Sequence, residues 1–120
     1  AIVALDLLLT FFAHWSEVRR DAVSAEVHAD RVRVPVLGPD ALVRDALGPI
    51  ARDGAPFVEV GVRLQKVLSA LTRMGDPELA ASAVDMSRQA LSFARRALVL
   101  DGHRFAVEAE APPAALAVTA

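Results

Sequence analysis

Between Phe57 and Leu100 apolar residues recur at alternating steps of three and four, in two blocks divided by Gly75-Asp76-Pro77. The first block carries Phe57, Val60, Leu64, Val67, Leu71 and Met74; the second carries Leu79, Ala83, Met86, Ala90, Phe93, Ala97 and Leu100. That spacing puts each set on one side of an α-helix, so each helix has to lay that side against a neighbour. The divider is a helix stop and start: Gly75 ends one helix, Asp76 caps the next, Pro77 suits its first position, and Glu78 favours its positive end. The two blocks are therefore expected to form an antiparallel helical hairpin. Val58, Val60 and Val62 alternate as in a strand, but the longer three-four pattern overrides that local signal.

The opening AIVALDLLLTFFAHW raises the question of a membrane span. Polar residues at Asp6, Thr10, His14, Glu17, Asp21, Ser24 and His28 fall three or four apart and mark one face of a helix from the start to about His28. Ile2, Leu5, Leu9, Phe12, Trp15, Val18 and Val23 lie on other faces. The unbroken apolar part, Ala1 to Ala13, would be roughly 20 Å long against about 30 Å of hydrocarbon. Asp6 within it would cost about 2.5–3.5 kcal/mol in lipid. A buried core helix is therefore expected rather than a span. No initiator Met or basic leader precedes the apolar run, so the chain reads as beginning in mid-helix, as a fragment of a longer one.

Between these regions, Arg31 to Val36 alternate strictly and include Pro35, the pattern of a short extended connector. Gly38-Pro39-Asp40 opens a second helix with Leu42, Val43, Leu47 and Ile50 on its apolar side. Pro49 should kink it and Asp53-Gly54 should end it. Glu59 and Arg63 form a favourably oriented pair on the outside of the third helix. After Asp101-Gly102 the periodicity fails, and Pro112-Pro113 with small apolar residues reads as an irregular, poorly ordered tail. The expected fold is all-α, a four-helix antiparallel bundle with an extended connector near 31–36. Residues 1–104 form the helical domain and 105–120 the tail.

The order of segments carries a resemblance. AIVALDLLL, RVRVPVLGPDALVRDALGPIARDGA, VRLQKVLSALTRMGDPEL and AVDMSRQALSFARRAL followed by DGHR, together spanning about Ala1 to Arg104, resemble the C-terminal soluble region of a bacterial family of predicted membrane proteins, domain of unknown function 2254. The second helix departs from the family pattern at Gly48-Pro49. The resemblance implies transmembrane helices upstream of this segment, a place at the bacterial inner membrane with this part in the soluble phase, and no known activity or catalytic residues.

Composition narrows the chemistry. The hydrophobic fraction is 54% and aromatic residues are only 5%, a palette of packed helices rather than of a β-sandwich. With 120 residues the chain can bury roughly two-thirds of its unfolded surface, and apolar residues beyond that need an oligomer, a partner or a bilayer. Val62, Leu68, Val84, Leu91 and Leu98 exceed what one neighbouring helix would cover, so either a second layer of this chain or another subunit has to cover them, and a homo-oligomer is the favoured expectation. Cysteine is absent, so disulfides, thiolate nucleophiles and Cys-type zinc sites are excluded. Lys66 is the only lysine among 13 basic residues, the mark of a GC-rich genome.

Candidate sites are few. His14 and Glu17 share a helix face with Asp21 one turn on, a spacing that can hold a metal when facing helices add carboxylates. No second inward His accompanies them, so a solvated polar stripe is the favoured reading, and no metal or cofactor is expected. Arg88, Arg95, Arg96 and Arg104 cluster at the end of the last helix. They could meet lipid phosphates at a membrane surface; the alternative is a solvated helix end complementing the dipole. A net charge of −2 and no aromatic residues among these arginines argue against nucleic acid. No glycine-rich phosphate loop or nucleophile elbow is present, so no catalytic residues are assigned. The expected function is an interaction and oligomerisation part of a bacterial membrane protein. The alternatives are a metal- or ligand-binding bundle or enzyme using His14, Glu17 and Asp21, and a free-standing soluble regulatory helical domain.

Overall fold

The computed structural model describes residues 2–26 and 38–117, all of whose regular elements are helices. They are α1 (Ile2–Glu26), α2 (Pro39–Asp53), α3 (Val58–Leu71), α4 (Pro77–Ala97), α5 (Asp101–Ala109) and α6 (Pro113–Leu116). The expected connector at 31–36 lies outside the described residues.

The α3–α4 hairpin forms as its punctuation dictates. Asp76 Oδ1 accepts the backbone N–H groups of Glu78 at 3.1 Å and Leu79 at 3.2 Å, satisfying two of the donors that a helix start leaves open. Gly75 has φ +81°, a left-handed value that a side chain disfavours, and it turns the chain between the two helices. Gln65 and Ser87, both buried, exchange hydrogen bonds across the hairpin: Ser87 Oγ donates to Gln65 Oε1, and Gln65 Nε2 donates to the Ser87 carbonyl. A polar pair therefore fixes the register where an unsatisfied one would be costly.

Two apolar cores share this hairpin. The larger one brings Leu5 and Phe12 of α1, Val43 and Leu47 of α2, Leu64, Val67, Leu68 and Leu71 of α3, and Leu79, Ala83, Met86 and Ala90 of α4 together. The heptad seam of α4 keeps to this core up to Ala90 and then leaves it, since Phe93 and Leu100 are exposed. A straight helix drifts against a seven-residue repeat, so the buried line moves to Leu91, Ala94 and Leu98.

That second line has its own cover, and the expected irregular tail is overturned here. Residues 101–109 and 113–116 are helical, and Val107, Ala111 and Ala115 bury against Leu91, Ala94 and Leu98, with Val58, Val62 and Val84 at the edge. The tail lacks heptads because a nine-residue helix and a single turn need only one or two contacts each. Gly61 lets α5 approach α3: a Cβ there would sit 3.0 Å from Val107 Cγ2. Ser69 Oγ then donates to the Glu110 carbonyl at 2.8 Å. Of the apolar residues expected to need a second layer or a second subunit, Leu68 belongs to the first core, while Leu91 and Leu98 are buried by the tail of the same chain.

α2 is continuous from Pro39 to Asp53 with Pro49 inside it. One smaller expectation changes. Arg63 approaches Asp6 of α1 at 3.7 Å rather than Glu59, because α1 lies across that side of α3. Asp6 faces solvent, as the core-helix reading of α1 requires.

Candidate functional site

α1 is apolar on more of its circumference than one neighbour can cover. Leu5 and Phe12 sink fully into the core, while Val3 and Leu7 are 72% and 66% exposed, with Phe11 and Val18 about half exposed. At roughly 100° per residue, Val3, Leu7, Phe11 and Val18 fall within an arc of about 80°, opposite Leu5 and Phe12. The stripe is about 22 Å long at the helical rise. His14 lies within the same arc and is exposed, as is Glu17 on its flank. The side chain of Asp21 lies outside the described residues. Among the described residues no group of three or more His, Asp or Glu could hold a metal, and the trio His14, Glu17 and Asp21 is not among the sets that this covers, since Asp21's side chain is not described.

The arginines expected to form one basic surface are divided by the tail helices. Arg88 Nη2 donates to the Ala114 carbonyl at 2.9 Å, and its Nη1 lies 3.8 Å from Asp85. Arg95 Nε donates to Glu108 Oε1 at 2.8 Å, pinning α5 to α4. Arg104 Nε reaches back to the Leu98 carbonyl at 2.7 Å, beside the end of α4, and its Nη1 lies 3.6 Å from Asp101. Arg96 alone of the four has no such tie among the described residues and projects into solvent. Three of the four are therefore structural ties between α4 and the tail. Periodicity could not reveal this, because their partners sit in or beside the segment without a pattern.

A second apolar exposure lies at the same corner. Val99, Leu100 and Phe105 surround the three-residue link between α4 and α5, and Val99 is 85% exposed. Neither this trio nor Val3, Leu7 and Phe11 is singled out by the sequence, which marks apolar residues without telling which of them find cover.

The clefts are open and shallow. One of about 480 Å³ lies between Ala80–Arg88 of α4 and Pro112–Ala114; another, of about 430 Å³, lies between the end of α3 and Ala109–Pro113. A third, of about 290 Å³, is bounded by Ile2, Val58, Val62 and Lys66. None brings a nucleophile, a base and an orienting acid together. One pair with displaced titration lies on the surface at the end of α2. A hydrogen bond from Arg52 Nε to Asp53 Oδ1, 2.9 Å long, holds the Asp53 carboxyl below its ordinary range and raises the guanidinium. Among the described residues nothing else converges on that pair to make it a site. Comparison with protein-family models, with curated proteins and with solved structures gives no match to this chain.

Proposed function

We propose that the chain is the soluble interaction and oligomerisation part of a bacterial predicted membrane protein, positioned at the inner membrane by segments outside it. Its role in this reading is to pair with a second copy and to sit against the membrane part of its own protein. The membrane assignment rests on the segment-order resemblance; the pairing rests on the exposed stripe Val3, Leu7, Phe11 and Val18 of α1.

A second copy is the occupant that the stripe's chemistry favours. Its residues repeat along one helix face over several turns, the form in which an identical helix offers a matching surface. No Lys or Arg stands between Ile2 and Val18, so the stripe itself carries no cation to draw it to an anionic lipid surface. No described helix is long and apolar enough to cross a bilayer.

Sedimentation velocity across the micromolar range tests this. The wild-type chain should move from monomer to dimer with concentration, and the double variant L7E/F11E should stay monomeric with its helix content intact. A wild-type chain that remains monomeric throughout contradicts the reading.

A further inference from the structure

We infer that the α4–α5 corner is a membrane-interface tip: Val99, Leu100 and Phe105 enter the headgroup–acyl boundary of an anionic bilayer while Arg96, His103 and Arg104 meet its phosphates. This contact is separate from the α1 pairing surface and uses none of its residues.

The three apolar side chains are among the most exposed large ones described, and Val99 and Phe105 are 85% and 73% accessible. They line none of the three clefts described above. A projecting apolar point suits a yielding phase, which closes around it, better than a second folded surface, which would need a matching pocket.

Charge selects the lipid. Arg95 is committed to Glu108, so the balance at the tip is Arg96 and Arg104 against Asp101, with exposed His103 beside them. The tip is thus locally positive in a chain whose net charge is −2, and the acidic flank of α1 is the opposite case. An anionic surface would orient the molecule with this corner toward it.

Flotation of the whole chain with phosphatidylcholine vesicles, with and without roughly a third phosphatidylglycerol, tests the inference. The wild type should float with the anionic vesicles and much less with the neutral ones. Arg96→Gln should weaken binding about fivefold, the worth of one arginine near such a surface. V99D/F105D should abolish flotation and leave thermal unfolding unchanged, since both side chains are exposed. Because the chain has no cysteine, Val99→Cys carrying an environment-sensitive dye gives a unique depth probe, with Gln89→Cys on exposed α4 as control. The dye at position 99 should shift to the blue and be quenched by brominated acyl chains; the dye at position 89 should not. No flotation with anionic vesicles, undiminished flotation of V99D/F105D, or equal shielding at 99 and 89 overturns the proposal. L7E/F11E should float like the wild type. If it instead loses flotation while V99D/F105D keeps it, the lipid contact belongs to α1 and the tip has no part in it, whatever sedimentation says of pairing.

Discussion

The two apolar cores are built from different materials. The larger packs leucines, valines, Phe12 and Met86 from four helices, with alanine at only three of its 13 buried positions (Ala51, Ala83 and Ala90). The smaller has Leu91, Leu98 and Val107, with alanines at 94, 111 and 115 making up the rest. Alanines bury little area, and at about 25 cal/mol per Å² they contribute little each. Directional ties supplement them: Arg88 to the Ala114 carbonyl, Arg95 to Glu108, and Ser69 to the Glu110 carbonyl. A core of large side chains announces itself in periodicity, whereas a core of small side chains and hydrogen bonds does not. The difference should also separate the cores in stability, the larger setting global unfolding and the smaller opening locally.

The sharpest test of that contrast is Leu68→Ala. Leu68 is fully buried in the last turn of α3, so the variant should lose about 2–5 kcal/mol in denaturant unfolding. Its effect should appear in all helices together; loss confined to α5 and α6 would mean that the division of the cores is misplaced. Gly61→Leu comes next. A side chain there meets Val107 at once, so overpacking should cost about 1–3 kcal/mol. Amide exchange should rise in α5 and α6 while α2 and α4 keep their protection. Asp76→Ala removes the acceptor for two helix-start donors and should cost about 1 kcal/mol, equally for both cores, since α4 serves both.

Arg95→Gln should have a smaller effect. Its pair with Glu108 is half exposed, so stability should fall by about 1 kcal/mol or less, read as faster exchange in α5 alone. The smallest effect belongs to Asp53, outside both cores. Its carboxyl is held below the ordinary range by the Arg52 hydrogen bond, so any stabilisation is present above the unfolded carboxyl pKa and fades as pH falls through the folded value. Asp53→Asn should lower the neutral plateau of a stability–pH profile slightly and flatten its acid-side fall, the variant and wild-type profiles converging at low pH.

The same contrast decides which parts of the molecule are legible in its sequence. α3, α4 and the Asp76 cap stand there as spacing and punctuation, and Leu64, Val67, Leu71, Leu79 and Ala83 are buried where the seam places them. Phe93 and Leu100 obey the same spacing and are exposed, because the partner changes along α4 and the seam drifts away from it. The tail is illegible, since a short helix held by alanines carries no repeat. The surfaces are hidden for a related reason. Leu91 and Leu98 are surplus by spacing but covered by Val107, Ala111 and Ala115, whereas Val3, Leu7, Val99 and Phe105 are ordinary by spacing and left uncovered. Arg88, Arg95 and Arg104 are visible as a cluster, but not as ties.

By itself, then, the sequence determined that the chain is helical, where its central hairpin turns, and which residues of α3 and α4 face inward near that turn. Those properties depend on neighbours a few positions apart. Which apolar residues are left in solvent, and which arginines are spent holding the tail, only the tertiary structure decided. Burial depends on whether a distant segment arrives to exclude water, and no local pattern along the chain records that arrival.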